Sequence, residues 1–232
     1  MKEFDYQWKY LPSRAVKYNE ERIKEFLGLT KMSPSFFKGK LCLDAGCGNG
    51  RYTYAMQKLG AKVVSFDISE EAIKQCRKVN PEAYVFDLMQ LKPNPIFDFV
   101  LCWGVLHHLL NPRAGFSKVA SQVKPRGILH IMVYHEKTQK FYQHGRRIWR
   151  RLSLKEKLEL CRSMVEKHGG DVHGWWDAFN PEYNWSFKPK EIKRWFREEG
   201  FSRITLTQKY NINMRGVKGV EDSRNWWSWI HR

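Results

Sequence analysis

In Leu41-Cys42-Leu43-Asp44-Ala45-Gly46-Cys47-Gly48-Asn49-Gly50-Arg51, an apolar strand passes through Asp44 into three alternating glycines and then a helix. Without β-carbons, Gly46, Gly48 and Gly50 can take positive φ and let the main chain approach a ligand closely, the arrangement of a nucleoside-cofactor pocket. Asp44 adds a fixed negative charge, which suits a cationic ligand. A dinucleotide-binding turn would place its third glycine three residues after the second, to seat a pyrophosphate at the helix N-terminus. Arg51 occupies that position instead.

Working outward, Tyr52, Ala55, Met56 and Leu59 recur at helical spacing, and a β-rich run from Lys62 to Phe66 ends in Asp67. An acid about 20 positions past the glycines, at a strand's carboxyl end, is placed to accept both ribose hydroxyls. Ser69 caps a helix bearing Ala72, Ile73 and Cys76. A third apolar run, 83–86, ends in Asp87, and a fourth strand spans 97–103. Asn111 and Pro112 start a helix that buries Phe116, Val119, Ala120 and Val123. Lys124-Pro125-Arg126-Gly127 then turns into a strand from Ile128 to Tyr134.

The GxGxG spacing with Asp44 resembles motif I of the class I S-adenosylmethionine-dependent methyltransferases, and segment 97–109, FDFVLCWGVLHHL, is similar to motif IV of their small-molecule branch. The resemblance covers 39–134 closely and 186–220 loosely. It implies a Rossmann-like, doubly wound α/β sheet of seven strands, six parallel and one antiparallel. It further implies S-adenosylmethionine as cofactor and S-adenosylhomocysteine as product. Cofactor contacts carried over are Asp44, Gly46, Cys47, Gly48, Gly50, Asp67, Ile68, Asp87 (adenine amino group), Leu88 (backbone N–H to a ring nitrogen) and Trp103.

Residues 1–38 form a leader in which Phe4, Tyr6, Trp8 and Tyr10 alternate with polar residues, followed by a helix capped by Asn19 and expected over the cofactor site. Leaders of related enzymes fold over the cofactor, which makes Tyr6, Trp8 and Arg14 candidate contacts. After the core at 39–134, residues 135–186 are far longer than an ordinary connection within an α/β unit and read as an inserted helical and aromatic lid. Within it, Ser153 and Glu156 form a capping box, Gly169-Gly170 stops the helix, and Trp175, Trp176, Tyr183 and Trp185 crowd around Asn180-Pro181. Residues 187–220 return to the core, and 221–232 form a Trp-rich tail.

The 232 residues contain 41 Lys plus Arg against 24 Asp plus Glu, a formal charge of +17, which attracts polyanions or an anionic membrane surface. Between His135 and Arg151 basic residues interleave with Phe141, Tyr142 and Trp149, as in a nucleic-acid stacking platform or an ordinary solvated helix face. No run of about 18 apolar residues is present to span a bilayer. Five cysteines without a CxxC pair argue for reduced thiols and a cytoplasmic location.

Transfer from a sulfonium is an in-line displacement needing alignment and no metal, with a base only for a weakly acidic acceptor. His107, His108 and Asp177 are the catalytic candidates. Tyr134, Trp175, Trp176 and Tyr183 are the substrate-binding candidates. The expected acceptor is a small molecule, such as a sugar, lipid headgroup or other metabolite, methylated on oxygen or nitrogen. Two other readings stay open: a wobble-uridine-type tRNA methyltransferase, and a non-catalytic S-adenosylmethionine-binding protein. Acceptor identity and oligomeric state are not encoded in any motif.

Overall fold

The computed structural model describes residues 4–11, 18–208 and 210–220. Seven strands form one sheet in the order β3-β2-β1-β4-β5-β7-β6. They are β1 (Leu41–Ala45), β2 (Lys62–Asp67), β3 (Tyr84–Val85), β4 (Phe97–Trp103), β5 (Val123–Val133), β6 (Phe201–Gln208) and β7 (Ile212–Lys218). β7 runs antiparallel to both β5 and β6, and every other pairing is parallel. The expected six-plus-one sheet is therefore present.

Parallel strands covered on both faces need apolar side chains in both directions, which is why β4 is an almost unbroken apolar run. Val100 and Cys102 join one core with Leu129, Phe116 and Phe196, while Phe99 and Leu101 join the other with Phe26, Phe37 and Met56. The first core is roofed by α5 (Pro112–Ala120) and α9 (Pro189–Glu198), the second by α2 (Glu20–Thr30) and α3 (Arg51–Lys58). Local chemistry sets the helix starts: Asn19, Ser69 and Asn111 each accept a backbone N–H three residues on, opening α2, α4 (Glu70–Cys76) and α5.

Three expectations change. Lys124-Pro125-Arg126-Gly127 lies inside β5 as a bulge, with Arg126 at φ +65° and the β4 register shifting opposite it, since proline and a left-handed residue are tolerated at such an irregularity. The leader, read only as alternating aromatic and polar residues, forms a helix, α1 (Asp5–Tyr10). The helix capped by Asn19 packs its Phe26 into the sheet core, and only Arg22 from its first turn reaches the cavity described below.

The insertion comprises α6 (Glu136–Trp149), α7 (Leu154–His168) and α8 (Val172–Phe179). It leaves and re-enters the sheet at one point, where His135 and Phe187 form a β-bridge and Phe187 N–H donates to the Tyr134 carbonyl at 3.0 Å. Ser153 and Glu156 make a reciprocal capping box, and Gly169, at φ +76°, ends α7. Trp149, Trp176, Phe179 and Cys161 give the insertion a core of its own. The interleaved basic and aromatic set of α6 is divided by this packing. Trp149 is buried, and Arg146 turns inward to donate to the Ala178 carbonyl (2.8 Å) and Gln139 (2.6 Å). Among the described residues, no helix is long and apolar enough to cross a membrane. Arg14 and the Trp-rich tail lie outside the described residues.

Candidate active site

Strand ends from β1 to β5 converge on one cavity of about 570 Å³, with α1 and α8 closing its other side. In open α/β sheets this carboxyl edge is where ligands bind. Asp67 accepts the Gly48 and Ser69 backbone N–H groups, both at 2.9 Å, so its carboxylate ties the glycine loop to the start of α4. Burial raises its pKa against those two hydrogen bonds. Asp87 receives the Met89 N–H at 2.8 Å, which turns Leu88 into the cavity wall. Asp44 is buried and accepts the Thr53 hydroxyl at 2.7 Å; burial pushes its pKa up to about 6.

Two of the glycines are dictated by protein neighbours. Gly46 has φ +79° and a β-carbon there would collide with Val105, while Gly48 has φ +54° and a β-carbon would lie 2.6 Å from the Trp8 ring. The Trp8 indole thus lies against the loop from the cavity side. Gly50 starts α3 with its back to Cys76 and does not line the cavity.

From the side of α1, the turn after β4 and the insertion, the cavity is lined by Gln7, His108, His173, Asp177 and Tyr183. His108 Nδ1 lies 2.9 Å from the Tyr183 carbonyl oxygen, which can only accept, so Nδ1 carries a hydrogen and donates it. Nε2 of the same ring is buried, has no hydrogen-bond partner, and sits 3.7 Å from Asp177 Oδ2. Asp177 also accepts from Gln7 Nε2 (3.1 Å) and the Tyr134 hydroxyl (3.5 Å). His108, Gln7 and His173 hold its carboxyl below the usual range, outweighing the opposing effect of burial. Burial lowers the His173 pKa, favouring its neutral form.

Among the residues singled out in the sequence, Asp44, Gly46, Cys47, Gly48, Asp67, Ile68, Asp87, Leu88, Trp103, His108, Asp177 and Tyr183 line this one cavity. Others do not. His107 is buried against Tyr134 at 3.6 Å between ring centroids, and burial drives its pKa well below the normal histidine value, so it is core and not a base at the cavity. Tyr134 lies beneath Asp177 as a support. Tyr6 stacks on Trp176 at 4.9 Å, and Trp176 packs in turn on Trp149, placing both in the insertion core because α1 docks there. Trp175 stacks on Phe179 and donates to the Gly169 carbonyl.

Several lining residues were not singled out, notably Phe4, Gln7, Arg22 and Met132. A signal existed for three of the α1 contacts: Phe4, Gln7 and Trp8 are spaced i, i+3, i+4, one face of a helix. Tyr6 and Tyr10 share another face, 5.1 Å apart.

A family model described as a methyltransferase domain matches residues 16–206. A ubiquinone biosynthesis O-methyltransferase of Xanthomonas campestris is 35% identical over 102 residues, covering 40% of this chain and 42% of the relative. The chain thus spans about two fifths of that curated relative's length. Among solved structures, magnesium protoporphyrin IX methyltransferase of Synechocystis with bound S-adenosylmethionine superposes with a TM-score of 0.55 at 19% identity, covering 86% of this chain and 79% of the other. A Burkholderia thailandensis 1,6-didemethyltoxoflavin N1-methyltransferase gives 0.52 at 15% identity, covering 90% and 80%. Strand order, strand-end carboxylates and the family match agree: the chain belongs to the methyltransferase-domain family, on its class I, S-adenosylmethionine-dependent fold.

Proposed function

We propose that the chain transfers a methyl group from S-adenosylmethionine to a hydroxyl or amine of a small acceptor, with His108 as the proton-accepting base and Asp177 as its partner. The observation that carries this reading is a single cavity lined by the strand-end carboxylates and by His108, whose Nε2 faces Asp177 Oδ2 at 3.7 Å. Asp67 fits the ribose hydroxyls, Asp87 and Leu88 fit the adenine edge, and Asp44 supplies the negative charge for a cationic ligand. When bound, S-adenosylmethionine supplies a sulfonium-activated methyl group and leaves as neutral S-adenosylhomocysteine.

The chain's own residues orient the acceptor and receive its proton. Gln7 Oε1 and His108 Nε2 have no hydrogen-bond partner, and Asp177 is an ionised acceptor. A wall of acceptors selects a ligand that donates, a hydroxyl or amine, and disfavours a carboxylate or phosphate. As the acceptor's lone pair forms the bond to the methyl carbon, its proton passes to His108 Nε2. The resulting imidazolium lies between the Tyr183 carbonyl and Asp177, both complementary to positive charge.

Labelled methyl donor offered to matched panels of neutral phenols, polyols, amines, carboxylic acids and total RNA tests the proposal. Label is expected on neutral hydroxyls or amines. Label confined to carboxylates or RNA contradicts the acceptor assignment, and cofactor binding without label in any pool favours a non-catalytic binding protein.

A further inference from the structure

Leu110 belongs to two concavities. On one side it walls the cavity just described, and on the other it edges an open groove of about 400 Å³ formed with Pro112, Trp185, Phe187 and Trp195. Leu110 is 72% exposed and Trp185 47% exposed, large apolar surfaces side by side at the rim.

The rim is fixed in place. Trp185 N–H donates to the His107 carbonyl at 2.9 Å and its indole N–H to the Leu109 carbonyl at 3.0 Å, clasping segment 183–187 to the turn that carries His108. The one charged side chain in the groove wall, Arg113, is spent elsewhere: its guanidinium pairs with Glu198 at 3.1 Å and Glu199 at 2.9 Å. A groove that is apolar, held rigid by hydrogen bonds, and without an unpaired charge favours hydrocarbon over an anionic group.

We propose that this groove is a subsite for an apolar tail, so that the acceptor is amphiphilic, its donor head at His108 and Asp177 and its tail passing Leu110 to lie on Trp185. The inference rests on the acceptor end assigned under the proposed function and adds the substrate class. Arg113 takes no part in ligand binding. Leu110 discriminates by tail length, since each buried methylene adds affinity only if the rim stays apolar.

Calorimetric titration of methyl, butyl and octyl gallate, neutral phenols differing only in tail, is run on the full chain with S-adenosylhomocysteine present. Octyl gallate is expected to bind about tenfold tighter than methyl gallate. Within Leu110→Asp that ratio falls to about twofold or less, and Leu110→Met, which keeps the rim apolar, retains it. A ratio unchanged in Leu110→Asp, a ratio near one in the unaltered chain, or no binding of any gallate overturns the proposal. A tail dependence seen only after deletion of residues 221–232 assigns the groove to the chain's own C-terminal residues and overturns it too. Tail-dependent binding without transfer of labelled methyl leaves the subsite standing and removes the catalytic reading instead.

Discussion

The two ends of the cavity are built by different means. At the sheet end, Asp44, Asp67 and Asp87 stand at the tips of successive strands, each fixed by a hydrogen bond from 2, 9 or 19 positions away in the chain, as between Gly48 N–H and Asp67. At the insertion end, Gln7, His108 and Asp177 come from three distant segments, and the Gln7 to Asp177 bond spans 170 positions. The sheet end is therefore a property of local turns on a shared scaffold, while the insertion end exists only when α1 and α8 are docked. Under the proposed function, a cofactor common to many enzymes is held by the first, and an acceptor particular to one enzyme is met by the second.

The docking is the place to break this division. Trp176 joins α8 to α1 and α6 through Tyr6 and Trp149, so Trp176→Ala is expected to cost about 3–5 kcal/mol, as for other buried aromatic truncations. Denaturant unfolding measures it. The surviving folded protein should keep cofactor affinity while losing turnover, whereas a loss of both in proportion would show that the two ends do not act separately.

Asp177→Asn sharpens the same division within the acceptor end. The amide keeps the shape but removes the charge facing His108 Nε2, and kcat is expected to fall by about 10- to 100-fold with cofactor Kd within about twofold. Steady-state kinetics alongside calorimetry separates the two readings.

At the sheet end the expected effect is a pH dependence. Asp44 has its pKa pushed up to about 6 by burial, so the ligand-free fold favours its protonated form. The sign follows from linkage: this group's contribution to ligand-free stability is present at low pH and lost as pH rises through about 6, while binding of a cation needs the ionised form and strengthens over that interval. Cofactor affinity should weaken by up to about tenfold per pH unit below 6, and Asp44→Asn should flatten that profile. A slope that survives in Asp44→Asn assigns the titration to another group.

The smallest effect belongs to Arg113, whose partly exposed pairs with Glu198 and Glu199 join α5 to α9 away from the cofactor end. Arg113→Ala should lower stability by about 1 kcal/mol or less and leave cofactor affinity unchanged.

The same contrast explains what could be learned from sequence. Asp44 and Asp67 were legible because each stands at the end of an apolar strand at a spacing that the αβ repeat enforces, and Asp87 and Leu88 through the resemblance to the methyltransferase motifs. Capping chemistry likewise marked Asn19, Ser69, Asn111 and Ser153. His107 and His108 could not be told apart as neighbours, because only the clasp between Tyr183 and the 106–108 turn turns one ring to the cavity and the other to Tyr134. Tyr6 and Trp8 were both read as cofactor contacts, and only the helical form of α1 separates them, placing Phe4, Gln7 and Trp8 together at the cavity and sending Tyr6 to the insertion. The aromatics of α8 carried a binding signature by composition, yet most of them were needed to give the insertion a core.

The account is tested most directly by measuring cofactor Kd and single-turnover methyl transfer in two variants, Asp67→Ala and His108→Ala. Asp67→Ala is expected to weaken cofactor binding about 100-fold, since the carboxyl assigned to the ribose hydroxyls is lost, while transfer at saturating cofactor stays within about fivefold. His108→Ala is expected to bind cofactor within about twofold of normal and to slow transfer by about 100-fold or more. Equal losses of binding and transfer in both variants, or the reverse assignment, would contradict a cavity divided between a cofactor end and a proton-accepting acceptor end.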